Sequence, residues 1–127
     1  MASRFQRHYT PDEARALLPE VRRWLEDLKE TQRRLANEDN AMSGLLASGL
    51  DLGGDLVNGW VRLMAGLKSG LMEFHKREIQ LKDLERGLID FPALRDGKEV
   101  FLCWESEEDD ICYWHDLDAG YAGRSPL

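Results

Sequence analysis

The sequence lacks any apolar run close to the roughly 18 residues that a membrane-spanning helix needs. Its opening stretch, Met1 to His8, also lacks the apolar core of an export signal. We therefore expect a cytoplasmic protein with no membrane partner. In that compartment the only two cysteines of the chain, Cys103 and Cys112, should stay reduced.

Positive charge is scarce, since 17 Lys and Arg stand against 24 Asp and Glu, for a net charge of -7. Residues 88–127 hold 10 acidic and 3 basic residues, so this part alone accounts for the net charge. Phosphate binding needs clustered Lys and Arg, so we expect no nucleic-acid partner and no binding to anionic membranes. A basic partner, a cation or a solvated surface that aids solubility is compatible with the acidic part.

Reaction motifs are also missing: there is no phosphate-cradling glycine loop, no nucleophile elbow and no zinc-protease helix motif. The 127 residues, 43% hydrophobic and 32% charged, are typical of an ordered protein with one core. We predict a single domain over residues 1–127. It comprises a helical hairpin over 10–79, then an antiparallel sheet and C-terminal tail over 80–127.

The first helix is predicted from a start signal and an apolar stripe. Thr10 to Glu13 combines a capping box with a proline at the first helical position. Pro19 removes an internal hydrogen bond, so we expect a short helix to about Leu17, a kink or break, and a long helix to about Asn37. Apolar residues recur at spacings of four and three, at Ala14, Leu18, Val21, Leu25, Leu28 and Leu35.

A second helix follows the glycine-rich segment from Asn40 to Gly54, which we predict to be a loop with packed leucines. Asp55 is expected to cap this helix, and the two stripes together predict an antiparallel hairpin. Three glycines on one face of the helix indicate a close backbone approach, from this chain or a second copy, or else a tolerant surface. These glycines are Gly59, Gly66 and Gly70, and the stripe is Trp60, Met64, Leu67, Leu71 and Phe74.

Beyond about Ile79 the pattern becomes that of strands. The Asp96-Gly97 pair predicts a tight hairpin turn, and Val100–Trp104 and Ile111–His115 are β-branched and aromatic runs of strand length. Pro92 predicts that the strand near Leu88 to Leu94 is an edge strand or is bulged. The fold class is therefore α+β, a long antiparallel helical hairpin packed with a small three- to four-stranded antiparallel sheet.

The register of the second β-hairpin decides which side chains meet. A symmetric register would set Cys103 opposite Cys112, with His115 on the face of Trp104 and Trp114 on the other face. Both faces are apolar, so both must be covered. The helices cover one face, and the C-terminal tail, the leucine-rich loop or another subunit covers the other.

Acidic residues at the end of this sheet are the weak metal candidates. Glu99 would lie opposite Asp116, and Asp118 would share its face if the strand continues. Three converging carboxylates favour a divalent cation such as calcium or magnesium. We expect instead that Arg124 or Lys98 neutralises them, so we predict no metal and no cofactor.

The weak catalytic candidates are His115, Asp116 and Asp90. His115 stands among aromatic and apolar residues, so we expect a neutral histidine that is hydrogen-bonded within a core. Cys103 and Cys112 are expected to be a buried reduced pair that packs as small apolar groups. A disulfide, a metal half-site and a nucleophile are the alternatives for this pair.

Four stretches carry a resemblance to a known family. They are Tyr9–Pro19, Leu81–Pro92, Val100–Trp104 and Tyr113–Arg124. Together they resemble the bacterial family catalogued as domain of unknown function 2203. The resemblance implies a prokaryotic origin, and it brings no activity, cofactor or partner.

From these observations we expect a non-enzymatic, self-associating bacterial interaction module of the cytoplasm. It would be a homodimer in which a second copy buries exposed apolar strips of helix or sheet. The alternative is a small metal-dependent or ligand-binding enzyme with an acidic site around His115, Asp116 and Asp118.

Overall fold

The computed structural model describes residues 3–49 and 53–127. Two helices pack against a five-stranded antiparallel sheet, so the predicted α+β class is confirmed. The predicted strand count was too low, because the tail adds a two-residue strand. The elements are α1 (Pro11–Ala47), α2 (Gly54–His75), β1 (Gln80–Asp83), β2 (Leu88–Arg95), β3 (Lys98–Trp104), β4 (Tyr113–Asp116) and β5 (Ser125–Pro126), with a short 3-10 helix (Tyr121–Gly123) between β4 and β5.

Helix α1 begins with the predicted capping box. The Thr10 hydroxyl accepts a hydrogen bond from the Glu13 amide, and the Glu13 carboxylate accepts one from the Thr10 amide. The predicted stripe is confirmed, since all six of its residues are buried. The predicted break at Pro19 is wrong. Pro19 is exposed, so water can satisfy the Arg15 carbonyl that loses its helical partner.

The helix also continues past Asn37 to Ala47, so the loop is shorter than predicted. Good helix formers dominate residues 38–47, and Gly44 alone does not stop them. Of the four leucines expected to pack in the loop, Leu45 is half-buried and Leu46 is exposed. The other two, at positions 50 and 52, lie outside the described residues.

Helix α2 packs on α1 as the second arm of an antiparallel hairpin, with Trp24 against Phe74 at 5.6 Å between ring centroids. Its N-cap is Gly53 without a side-chain cap, so the predicted capping by Asp55 is wrong. Asp55 lies in the first turn, where its charge still suits the helix dipole. No helix among the described residues has the length and apolar character needed to cross a bilayer.

The predicted glycine face makes one close approach. A Cβ atom added at Gly70 would lie 2.5 Å from Leu28 Cδ2 of α1, so the two backbones are close there. At Gly59 and Gly66 an added Cβ would meet nothing within 4 Å. The close approach predicted for three glycines therefore holds for Gly70 alone.

The five strands pair in chain order, β1 to β5. Asp96 and Gly97 join β2 to β3 with φ values of 53° and 78°, which are the positive angles of the predicted tight turn. This turn sets Asp90 opposite Cys103.

Pro92 lies in an internal strand, so the prediction of an edge or bulged strand there is wrong. The irregularity falls on β1, between Leu81 and Asp83. The pairing of β1 with β2 ends at Asp90, so Pro92 has no partner in β1. The Pro92 carbonyl instead accepts a hydrogen bond from the Tyr9 amide at 2.7 Å. The missing amide hydrogen of Pro92 is on this same side, so no strand bond is lost.

The second β-hairpin is shifted by one residue from the symmetric register. Cys103 lies opposite Tyr113, and Phe101 lies opposite His115. The loop before β4 has its own internal order, since Trp104 Nε1 donates to the Glu108 carbonyl at 2.9 Å. This hydrogen bond folds one side of the loop back on itself, so the two strands do not pair symmetrically about the loop. The predicted symmetric register is therefore wrong.

The shift moves every side chain of β4 to the opposite face. His115 lies on the face of Cys103, and Trp114 joins Trp104 on the face that packs on α1, which we call the helix face. The core on the helix face includes Val21, Leu25, Leu28, Ile89, Phe91, Leu102, Trp104 and Ile111.

The other face of the sheet, called here the second face, is covered by the two ends of the chain. The predicted C-terminal tail contributes Leu117, Ala119 and Tyr121. The N-terminal segment contributes Phe5, which packs edge-on against Phe101 with ring centroids 5.4 Å apart. The sequence did not indicate this role of the N-terminal segment.

Candidate functional site

Three chemically reactive side chains meet on the second face. Asp90 and His115 are buried, with 3% and 2% of their surface exposed, and Cys103 is buried with 1% exposed. Asp90 lies on β2 directly opposite Cys103 on β3, and His115 lies on β4 opposite Phe101. One ligand atom from each of the three lies within 4.8 Å of the others. We call Asp90, Cys103 and His115 the buried cluster.

Hydrogen bonds fix the orientation of His115. Its Nδ1 lies 2.8 Å from the Asp116 carbonyl oxygen, and its Nε2 lies 3.0 Å from Asp90 Oδ1. A carbonyl oxygen only accepts, so Nδ1 carries a hydrogen and Nε2 faces Asp90. The contact between Nε2 and the carboxyl oxygen is therefore a hydrogen bond within a buried pair.

Burial governs the acidity of the cluster. It raises the pKa of the Asp90 carboxyl, and the neighbouring His115 opposes that rise. Burial, reinforced by the charge of Asp90, raises the pKa of the Cys103 thiol to about 12. Burial outweighs the effect of the nearby Arg124 guanidinium, so Cys103 is a neutral thiol at physiological pH and a poor nucleophile.

A cavity of about 240 Å³ adjoins the cluster. Asp90 and Cys103 line it together with the tail residues Ala119 and Tyr121. Since water occupies about 30 Å³ in the liquid, the cavity has room for several waters or a small ligand.

The acidic residues predicted as metal candidates do not form such a group within the described residues. Glu99 accepts hydrogen bonds from the amides of Arg4 and Phe5 at 2.7 and 3.0 Å. Asp116 lies opposite Val100 rather than Glu99, so the predicted opposition of two carboxylates is wrong.

Lys98 and Arg124, the two residues predicted to neutralise these carboxylates, pair with different partners. Lys98 Nζ pairs with Asp116 Oδ1 at 2.9 Å, and Asp118 is exposed. Arg124 instead makes two parallel bonds of 2.9 Å to the Glu108 carboxylate. A divalent cation at Glu99, Asp116 and Asp118 was only the weak alternative, and the absence of a metal there stays a prediction.

The catalytic candidates are only partly brought together. Asp90 and His115 are hydrogen-bonded, whereas Asp116 contributes its backbone carbonyl and turns its carboxylate to Lys98. Both cysteines are free, but Cys112 is exposed, so the prediction of a buried pair is wrong for it. Cys112 lies in the loop that precedes β4, outside the paired residues of the strands.

Sequence reasoning did not combine Cys103 with Asp90 and His115, although part of the signal was present. A two-residue turn at Asp96-Gly97 requires Asp90 to face Cys103. The third member could not be placed, because the register of β4 depends on the order of an eight-residue loop.

A second feature is an apolar surface on α2. Phe74 is the only buried residue of this helix within the described part of the chain. Two residues of the predicted stripe, Met64 and Leu71, are 41% and 42% exposed, so the stripe only partly faces α1. Together with Val61 and Met72, which are also exposed, they form what we call the outer face of α2.

Comparison with known proteins gives a match at the level of the family. No curated protein and no solved structure matches the chain. The model of the family described as Uncharacterized conserved protein (DUF2203) matches residues 7–127. With nearly its whole length matched, the chain belongs to this family.

Proposed function

We propose that the protein is a non-enzymatic interaction module that self-associates through the outer face of α2. The observation that carries the proposal is the exposure of Val61, Met64, Leu71 and Met72 on a helix that buries only Phe74 among its described residues. Helices in proteins owe most of their stability to packing of an apolar face. The glycines of α2 make this need greater, since each costs about 1 kcal/mol relative to alanine.

A second copy of the chain is the occupant that fits this surface. The outer face contains a groove of about 390 Å³ between Met64, Leu67, Leu71 and Met72. A twofold axis near Lys68 would lay this face against itself, so that methionines of one copy enter the groove of the other. The Lys68 stem can lie along the apolar surface while its ammonium group stays in water.

The proposal also places the protein in the bacterial cytoplasm. Both cysteines are free, which suits a reducing compartment.

Light scattering coupled to size exclusion at micromolar concentration tests the association. We expect about 29 kDa, twice the 14.6 kDa of one chain. The double variant Met64→Glu, Leu71→Glu should be a monomer with an unchanged far-UV circular dichroism spectrum. The matched control is Leu94→Glu, which places the same charge at an apolar residue 54% exposed at the end of β2, and it should leave the dimer intact.

Two results would contradict this proposal. One is an unmodified chain of 14.6 kDa whose mass does not change on concentration. The other is a dimer that survives the double variant but is lost with Leu94→Glu, which would move the interface to the sheet.

A further inference from the structure

The buried cluster has the composition and size of a metal site. It offers a carboxylate oxygen from Asp90, a sulfur from Cys103 and an imidazole nitrogen from His115, all within 4.8 Å of one another. In a tetrahedral zinc site the ligand atoms lie about 3.3–3.7 Å apart, given metal–ligand distances of about 2.0–2.3 Å. Side-chain movements of about 1 Å would therefore bring the three onto one ion.

We propose that Asp90, Cys103 and His115 bind one zinc ion, with the fourth coordination position open to the adjoining cavity. The ligand types select zinc over the harder cations. Calcium and magnesium prefer oxygen ligands alone, whereas a set of sulfur, nitrogen and oxygen is typical of zinc. Three protein ligands and an open fourth position are the arrangement in which zinc also binds water or a small ligand.

His115 is already oriented as a metal ligand. Zinc-binding histidines commonly donate their second ring nitrogen to a carbonyl or carboxylate, which fixes the ring. Here Nδ1 donates to the Asp116 carbonyl at 2.8 Å, so Nε2 is left for the ion. Nε2 lies 3.0 Å from Asp90 Oδ1, so two of the three ligand atoms already face each other.

Charge balance also favours a divalent ion. A Cys103 thiolate and an Asp90 carboxylate would together neutralise Zn²⁺ in a buried setting. Zinc binding would release both the thiol proton and the proton of the His115–Asp90 hydrogen bond, so the high pKa of the free thiol is no obstacle to ligation. The Arg124 guanidinium lies 3.9 Å from the sulfur and is held by Glu108, so it can donate a hydrogen bond to the thiolate.

A purely structural role explains this cluster less well. Three apolar residues could fill the same space without the cost of dehydrating an acid and an imidazole. A packing role would also not require the cavity beside Asp90 and Cys103. The zinc proposal is independent of self-association, since it concerns the second face of the sheet and not α2.

The test uses the full chain after removal of bound metal with a chelator. Zn²⁺ is titrated while the melting temperature is recorded, and Co²⁺ is titrated separately because a tetrahedral cobalt–thiolate site has intense visible and near-UV absorption. We expect saturation at one equivalent and a rise of the melting temperature with zinc. The control is Cys112→Ser, which removes the exposed cysteine and should change nothing.

Cys103→Ser should abolish the cobalt–thiolate absorption and the thermal shift. Asp90→Asn keeps the shape of the side chain and should weaken binding at least about 10-fold, so it decides the matter if Cys103→Ser does not fold. Three results would overturn the proposal: no absorption at one equivalent, absorption lost in Cys112→Ser, or binding unchanged in folded Cys103→Ser or Asp90→Asn.

Discussion

Two glycines of α2, one turn apart, should respond differently to the same substitution. Gly66 and Gly70 both lie inside the helix. An alanine at either position gains the same helix propensity, about 1 kcal/mol, because it restricts the unfolded chain. The two sites differ in what the added methyl group meets.

At Gly66 the added Cβ meets nothing within 4 Å, so the propensity gain should appear undiminished. At Gly70 it would lie 2.5 Å from Cδ2 and 3.2 Å from Cγ of Leu28. Rotation of the Leu28 side chain about its last bond would move Cδ2 but would leave Cγ in place. Leu28 is also only 1% exposed, so its side chain has no free space to move into. Overpacking of this kind costs about 1–3 kcal/mol.

We therefore expect Gly66→Ala to stabilise the protein by about 0.5–1 kcal/mol. Gly70→Ala should be neutral or destabilising by up to about 2 kcal/mol, the difference between the clash and the propensity gain. Urea denaturation followed by circular dichroism at 222 nm measures both at one protein concentration, so that any association affects the two variants equally. If Gly70→Ala is as stable as Gly66→Ala, the helices do not approach closely at Leu28, and the packing described for the hairpin is incorrect.

Two further predictions concern the sheet. Trp104→Ala should lower the free energy of unfolding by about 3–5 kcal/mol because Trp104 is fully buried. Trp114→Ala should lower it by only about 1–2 kcal/mol because Trp114 is half-buried on the same face. Equal losses of stability in urea denaturation would contradict the observed register. Hydrogen bonds from His8 and from the Arg4 and Phe5 amides lower the pKa of Glu99 in the folded protein. The stabilisation of the fold by the Glu99 carboxylate is therefore complete above the unfolded pKa of about 4.3, and it is lost as the pH falls through the lower folded pKa. Glu99→Gln should accordingly lower the melting temperature at pH 7, and its difference from the unmodified protein should shrink below about pH 4; a constant difference would refute this.

Local signals predicted the elements that depend on local physics. The capping box at Thr10 and the spacing of the stripe from Ala14 to Leu35 specify α1, because both act within a few residues. The Asp96-Gly97 pair predicted the tight turn between β2 and β3 for the same reason. These predictions needed no knowledge of the rest of the chain.

The wrong predictions concern features that depend on solvent exposure or on contacts between distant parts of the chain. A proline on the exposed side of a helix costs less than one facing the core, and the sequence alone did not reveal that Pro19 is exposed. The loop before β4 is held by the Trp104–Glu108 bond and by Arg22, which donates to the carbonyls of Ser106 and Glu108. A contact from α1 thus contributes to the register on which the buried cluster depends.

The pairing of strands in strict chain order bears on how the protein folds. Each strand finds its partner across a short connection, so the sheet can assemble as successive hairpins with little loss of loop entropy. The core cluster that holds Val21, Leu25, Ile89 and Trp104 instead joins parts of the chain that are far apart in sequence. We therefore expect the helical hairpin and the antiparallel sheet to form first as separate units. The docking of α1 onto the sheet should then limit the folding rate.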